Sequence, residues 1–111
     1  MSAESFLAFY GVRLEVPDGE IALLDNRAHP IMIAARKNHL KHYWGDFAGP
    51  STKRTLLFVG DNIGSLGLEN AAEIQVSRDE LIRRMDETED RLRSAGIGGP
   101  VMLYLQWEPD A

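Results

Sequence analysis

From Phe9 to Val16 apolar side chains fall on alternate positions, Tyr10, Val12, Leu14 and Val16 on one parity and Gly11, Arg13 and Glu15 on the other. That period of two is the pattern of a half-buried strand. Pro17-Asp18-Gly19 closes it, because proline cannot donate to a ladder and Asp-Gly favours a turn. Residues 20–27 read as a return strand or a short helix carrying Ile21 and Leu24 inward, the helix being favoured. Pro30 suits the first turn of a second helix, with Ile31, Ala34 and Ala35 on one face and an end near Asn38 to Leu40. Gly45, Gly49 and Pro50 then predict a loop over Tyr43 to Thr52 that holds several aromatic side chains.

Thr55 to Val59 is a continuous apolar run expected to form a central strand. The glycine-rich stretch from Gly60 to Gly64 predicts a turn, with Ser65 to Glu69 returning as a hairpin partner and a further short strand over Glu73 to Val76. Ser77-Arg78-Asp79-Glu80 matches a capping box, and Leu81, Met85, Thr88, Leu92 and Ala95 follow at helical spacing until Gly96 ends the helix. Val101 to Trp107 is apolar on both parities, which predicts a central strand. The expected fold class is α+β: a four- to five-stranded antiparallel or mixed sheet with one long helix from the C-terminal half packed on one face. One or two short helices in the N-terminal half complete it, and a crossover leaves room for one parallel pair.

At 111 residues, 44% hydrophobic and 26% charged, the chain fits a single globular domain over residues 1–111. A core of that size predicts surface clefts rather than a large internal cavity. With no cysteine, disulfides, thiolate metal sites and thiol nucleophiles are excluded. Glu4 before the first apolar residues, with no Lys or Arg, does not fit a secretory leader, and no apolar run is long enough to span a membrane, so cytoplasmic residence without membrane contact is expected.

Charge changes the picture most. The net charge of −5 argues against a general nucleic-acid binder, which needs a positive footprint. Residues 36–54, however, carry Arg36, Lys37, Lys41, Lys53 and Arg54 against Asp46 alone, a balance of +4. The rest of the chain holds seven cations against sixteen acids, a balance of −9. His39, His42, Tyr43, Trp44 and Phe47 interleave with the cations, a mixture suited to an anionic or aromatic ligand through cation–π and stacking contacts. The binding residues expected from this segment are Arg36, Lys37, Lys41, His42, Tyr43, Trp44 and Arg54. The competing reading is a solvated helix face beside aromatic side chains that close the core.

Other constellations carry less. His39 and His42 have the spacing of two ligands on one helix face with Asp46 one turn on, but nothing supplies a complete metal site, and no metal or other cofactor is expected. Gly60, Gly64 and Gly67 lack the Lys of a P-loop and the helix of a dinucleotide fold. Asp25 and Asp61 could serve acid–base chemistry, but Asp-Asn pairs are also turn residues, and no catalytic residue is assigned. The acids and arginines from Glu80 to Arg93 read as a solvated helix face, with Glu80 to Arg84, Glu87 to Arg91 and Glu89 to Arg93 as expected pairs. The leading expectation is a binding or interaction module, an adaptor, inhibitor or regulatory protein, that engages a protein partner or small anionic ligand. The alternative is a small cofactor-free enzyme acting on an anionic metabolite with a histidine acid or base. Met102 and Tyr104 need cover on the sheet face away from the long helix, and a homodimer is one way to supply it.

Overall fold

The computed structural model describes residues 5–48, 53–67 and 70–108. Its elements are β1 (Ser5–Glu15), a 3-10 turn (Asp18–Glu20) running into α1 (Ile21–Asp25), α2 (Pro30–Lys37), β2 (Lys41–Ala48), β3 (Lys53–Gly67), α3 (Arg78–Ala95) and β4 (Met102–Glu108). The four strands form an antiparallel sheet in the order β2-β3-β1-β4. The fold class is therefore α+β as expected, and residues 20–27 are helical. No parallel strand pair forms between the described strands.

Helix ends follow their local chemistry. Pro30 sits in the first turn of α2 behind His29, whose Nδ1 accepts the Ile31 amide at 3.2 Å. That leaves His29 Nε2 to donate to Glu20 Oε1 at 3.0 Å. Ser77 caps α3 by accepting the Glu80 amide at 3.2 Å. All three α-helices end on a left-handed residue, with the next amide bonding back five residues: Ala28 to Leu23, Leu40 to Ala35 and Ile97 to Leu92.

Four strand expectations are corrected. The stretch from Tyr43 through Ala48 is strand β2 and not loop, because alternate side chains find opposite faces of the sheet: Trp44 packs with the helices and Tyr43 and Phe47 with the other side. Residues 49–52, the rest of that loop, lie outside the described residues. No turn forms at Gly60 to Gly64, since β3 runs straight through to Gly67, and Glu73 to Val76 form no strand. The C-terminal strand is an edge strand and not central.

Glycine explains the uninterrupted run of β3 at the backbone level. Gly11 and Gly60 are register partners on β1 and β3, with φ of 155° and 153°. A Cβ on Gly11 would lie 2.1 Å from the Val59 carbonyl oxygen, and one on Gly60 would lie 2.2 Å from that of Tyr10. The two strands approach more closely than side chains permit, and the sheet coils there. Farther along, Ala8 pairs with Gly64 and Phe9 with Asn62, so Ile63 is the extra residue of a β-bulge and the face parity of β3 reverses.

Coiling divides the core in two. On one face α3 lies over β3 and β1, and α2 over β2 and β3, burying Val12, Leu24, Met32, Ala35, Leu57, Val59 and Leu92. The other face bears no helix, yet Leu7, Phe9, Phe47, Leu56 and Phe58 are buried in it. Phe58 meets Phe9, Phe47 and Tyr104 at centroid distances of 5.6, 5.7 and 5.8 Å. Tyr104 and Phe58 stand on strands separated by β1 and opposite residues four apart on it, so a flat sheet would hold their Cα atoms roughly 16 Å apart. Arg13 covers the Tyr104 ring at 4.7 Å and donates to Gln106 at 3.0 Å. We expect Gly11→Ala or Gly60→Ala to cost more than about 3 kcal/mol or abolish folding in urea denaturation. Gly19→Ala, whose Cβ meets nothing within 4 Å, should stay within about 0.5 kcal/mol of the parent.

Candidate functional site

The basic-aromatic segment does not form one surface. Period-two alternation along β2 sends His42 and Trp44 to the helix-bearing face, whereas Tyr43 and Phe47 turn toward the aromatic cluster. Arg54, opposite Phe47 in the register, goes with that second face and lies 3.5 Å from Glu15. Arg36 and Lys37 lie exposed in the last turn of α2, and Lys41 is exposed at the start of β2. The side chain of Lys53 is outside the described residues.

A cleft of about 360 Å³ gathers part of the set with residues from outside it. Buried Leu24 and Met32 supply its apolar wall, His42, Tyr43 and Trp44 come from β2, and Asp25 and Arg27 come from the end of α1. Arg36 is tied to the same place, its Nη2 donating to the Arg27 carbonyl at 2.9 Å. Arg27 holds φ at 56°, a left-handed conformation in which residues other than glycine, asparagine and aspartate are costly. Arg27 lies nine residues ahead of Arg36, outside the cationic segment 36–54. The signal available was Asp25-Asn26-Arg27, a turn that ends one short helix just ahead of the next.

The charges that act on His42 are positive, although Asp25 also lines the cleft. Burial, and after it the charges of Arg36 and Arg27, push the His42 imidazole below its ordinary value of 6.5. His42 is therefore neutral at pH 7. Among the described residues Arg27, Arg36, Lys37 and Lys41 form no ion pair with a carboxylate, although acids outnumber bases in the chain. Of the other arginines, Arg84 pairs with Asp61, Arg83 with Glu80 and Glu87, and Arg93 with Asp90, whereas Arg13 and Arg91 donate to the neutral oxygens of Gln106 and His39.

A second cleft of about 200 Å³ runs between α3 and the starts of β2 and the Gly60 region, lined by His39, Lys41, Asp61, Arg83, Arg84 and Arg91 among others. Most of its charges are engaged with one another, Lys41 and Arg91 excepted. Arg84 Nε donates to Asp61 Oδ2 at 2.6 Å and Nη2 to Oδ1 at 3.1 Å, with a further bond from Nη2 to the Asn62 carbonyl at 3.2 Å. The bond to Asp61 raises the Arg84 value further, and the carboxylate is held as a clamp for α3. Arg84 does not pair with Glu80 as its spacing suggested, and Arg91 donates to the His39 carbonyl at 3.3 Å.

His39 and His42 do not share a helix face. His39 occupies the left-handed position after α2, with φ of 58°, and His42 lies in a strand. Among the described residues no group of three or more His, Asp or Glu side chains is arranged to hold a metal. Asp46 instead accepts a bond from Thr55 Oγ1 at 2.7 Å. No described helix is long and apolar enough to cross a membrane. Comparison with protein families, curated proteins and solved structures finds nothing that matches this chain.

The pH dependence of His42 has a fixed sign. Its folded value lies below the unfolded one, so its contribution to stability is complete above about pH 6.5 and is lost as pH falls through the folded value. An NMR titration should place the His42 midpoint below 6.5, and Arg36→Gln should move it upward without restoring it fully, since burial remains.

Proposed function

We propose that the protein is a binding module for small anionic ligands, received in the cleft between the α1–α2 turn and β2. The observation that supports this reading is the concentration, around His42 and Trp44, of cations without carboxylate partners among the described residues. An anion entering there would gain Arg27 and Arg36 as donors without first displacing an internal acid from them. The indole of Trp44, half-buried against Leu24 and Met32, offers an apolar wall to a planar group carried by the anion. A volume of about 360 Å³ lies within the range of small-molecule sites. Lys37 and Lys41 stand outside this cleft and would add long-range attraction rather than contacts. An acidic segment of a protein partner meets the same chemistry, and cytoplasmic residence belongs to the proposal.

A second reading is favoured by one observation: His42, Trp44 and Arg27 line a single concavity with Asp25, and His42 is neutral there at pH 7. That arrangement suits a cofactor-free enzyme in which His42 accepts a proton and Arg27 holds the anion. Turnover of a simple phosphate or carboxylate ester that disappears in His42→Gln while binding remains would support the enzyme over the binding module.

Inorganic phosphate and a nucleoside monophosphate serve as probes in an NMR titration. Shifts should centre on His42 and Trp44, and the His42 midpoint should rise on binding, because an anion favours the imidazolium. Arg27→Gln with Arg36→Gln should weaken binding at least about tenfold with the unfolding midpoint retained; unchanged affinity would rule the cleft out. Arg27→Gly should separate the two demands on that position. It relieves the left-handed backbone and should stabilise the fold by up to about 1 kcal/mol in urea denaturation while still weakening the anion.

A further inference from the structure

The sheet has two edges, and they differ. Along β2 the outer edge carries Lys41 and Asp46, charged residues with which exposed edges usually resist pairing. Along β4 the sequence from Met102 to Trp107 contains no charge, no proline and no bulge, and among the described residues only β1 pairs with it.

Apolar side chains accompany that open edge. The expectation that Met102 and Tyr104 form the row needing cover holds only at Met102, which is 50% exposed, because coiling tucks Tyr104 against Phe58. The main uncovered row lies on the other parity, beside the helices: Leu103, Leu105 and Trp107 are 52%, 71% and 39% exposed, and Phe6, ring to ring with Trp107 at 4.8 Å, is 46% exposed. Together these side chains leave on the order of 500 Å² of apolar surface accessible, near the upper end for a patch on a monomer.

We propose that two copies of this chain pair antiparallel through β4, joining their sheets into one of eight strands. The occupant is a second copy because the edge is self-complementary. A two-fold axis at Leu105 sets that residue against its own copy and Leu103 against Trp107 of the other, so the apolar row meets itself with no like charges opposed. Two such patches bury on the order of 1,000 Å² before backbone bonds and neighbouring side chains are added, which reaches the size of specific interfaces. Assembly stops at two, since the pairing uses both β4 edges and leaves only the charged β2 edges outside.

Sedimentation and light scattering of the full chain at about 1 to 100 μM should give a dimer. Leu105→Lys and Leu105→Glu, at an exposed position, should each keep the parent circular dichroism and weaken self-association at least about 30-fold. Mixed in equal amounts, the two variants should recover a dimer, because residue 105 then faces its opposite charge. Leu105→Cys, the only cysteine in the chain, should oxidise to a linked dimer with the parent fold. A parent chain monomeric at 100 μM, a dimer indifferent to Leu105→Lys, or Lys and Glu variants that fail to combine would each overturn the proposal.

Discussion

The meeting of Gly11 and Gly60 governs the rest of the architecture. Hydrogen alone fits where each Cβ would strike the carbonyl of the facing strand, and the pair sits in the middle of the two longest strands. Because β1 and β3 can close on each other there, the sheet coils enough to roll its helix-free face around Phe58. An ordinary four-stranded sheet would need a second layer to bury Phe9 and Phe58. Here Phe47 from β2 and Tyr104 from β4 come over them, with Arg13 laid across the outer ring. The same curvature has a cost on the opposite face: one long helix follows β3 and β1 but leaves the outer row of β4 without cover.

Polar contacts then fix the helix on the coiled sheet. Arg84 forks onto Asp61, immediately after the glycine contact, and farther along α3 Glu89 accepts from Tyr10, the register partner of Asp61, at 3.1 Å. Burial, the bond to Glu89 and the negative charges of Glu89 and Asp86 all raise the Tyr10 phenol, so it stays protonated and remains a donor. Thr88, buried in the middle of α3, satisfies its hydroxyl on the Arg84 carbonyl at 2.7 Å. The acids of α3 are thus engaged largely with that helix's own arginines and with the sheet, and Arg27, Arg36, Lys37 and Lys41, without a carboxylate partner among the described residues, lie beyond it, from the end of α1 to the start of β2.

Local signals were legible where one physical cause acts alone. Ser77, the apolar stripe and Gly96 specify α3 without reference to the rest of the chain, and Pro30 does the same for the start of α2. Gly60 and Gly64 were misleading because glycine marks two different things, a turn or a close approach within a strand, and only the facing Gly11 distinguishes them. Val101 to Trp107 looked central because both parities are apolar. Coiling covers Tyr104 on one parity and leaves Leu103, Leu105 and Trp107 open on the other, a combination that no window of that strand can reveal. The charge of segment 36–54 was visible, but its division between two faces follows from β2 being a strand, so Arg54 is lost to the cleft and Arg27, outside the window, is gained.

Helix termination gives the last indication of where this chain accepts strain. All three helices close with the same pair of backward hydrogen bonds, and a left-handed residue is required in each. After α3 that residue is Gly96, which adopts the conformation freely and lines neither cleft. After α1 and α2 it is Arg27 and His39, for which the same backbone is unfavourable. Each of those two borders a cleft, Arg27 the one beside His42 and His39 the one crossed by Arg84 and Asp61. The charged clamp accounts for the second cleft as structure: Arg91 already binds the His39 carbonyl, a contact that glycine would keep. The guanidinium of Arg27 is in the same position, because Arg36 bonds only its backbone carbonyl. A strained position whose side chain finds no partner among the described residues is not explained by folding alone, and at Arg27 the proposed anion would supply that partner.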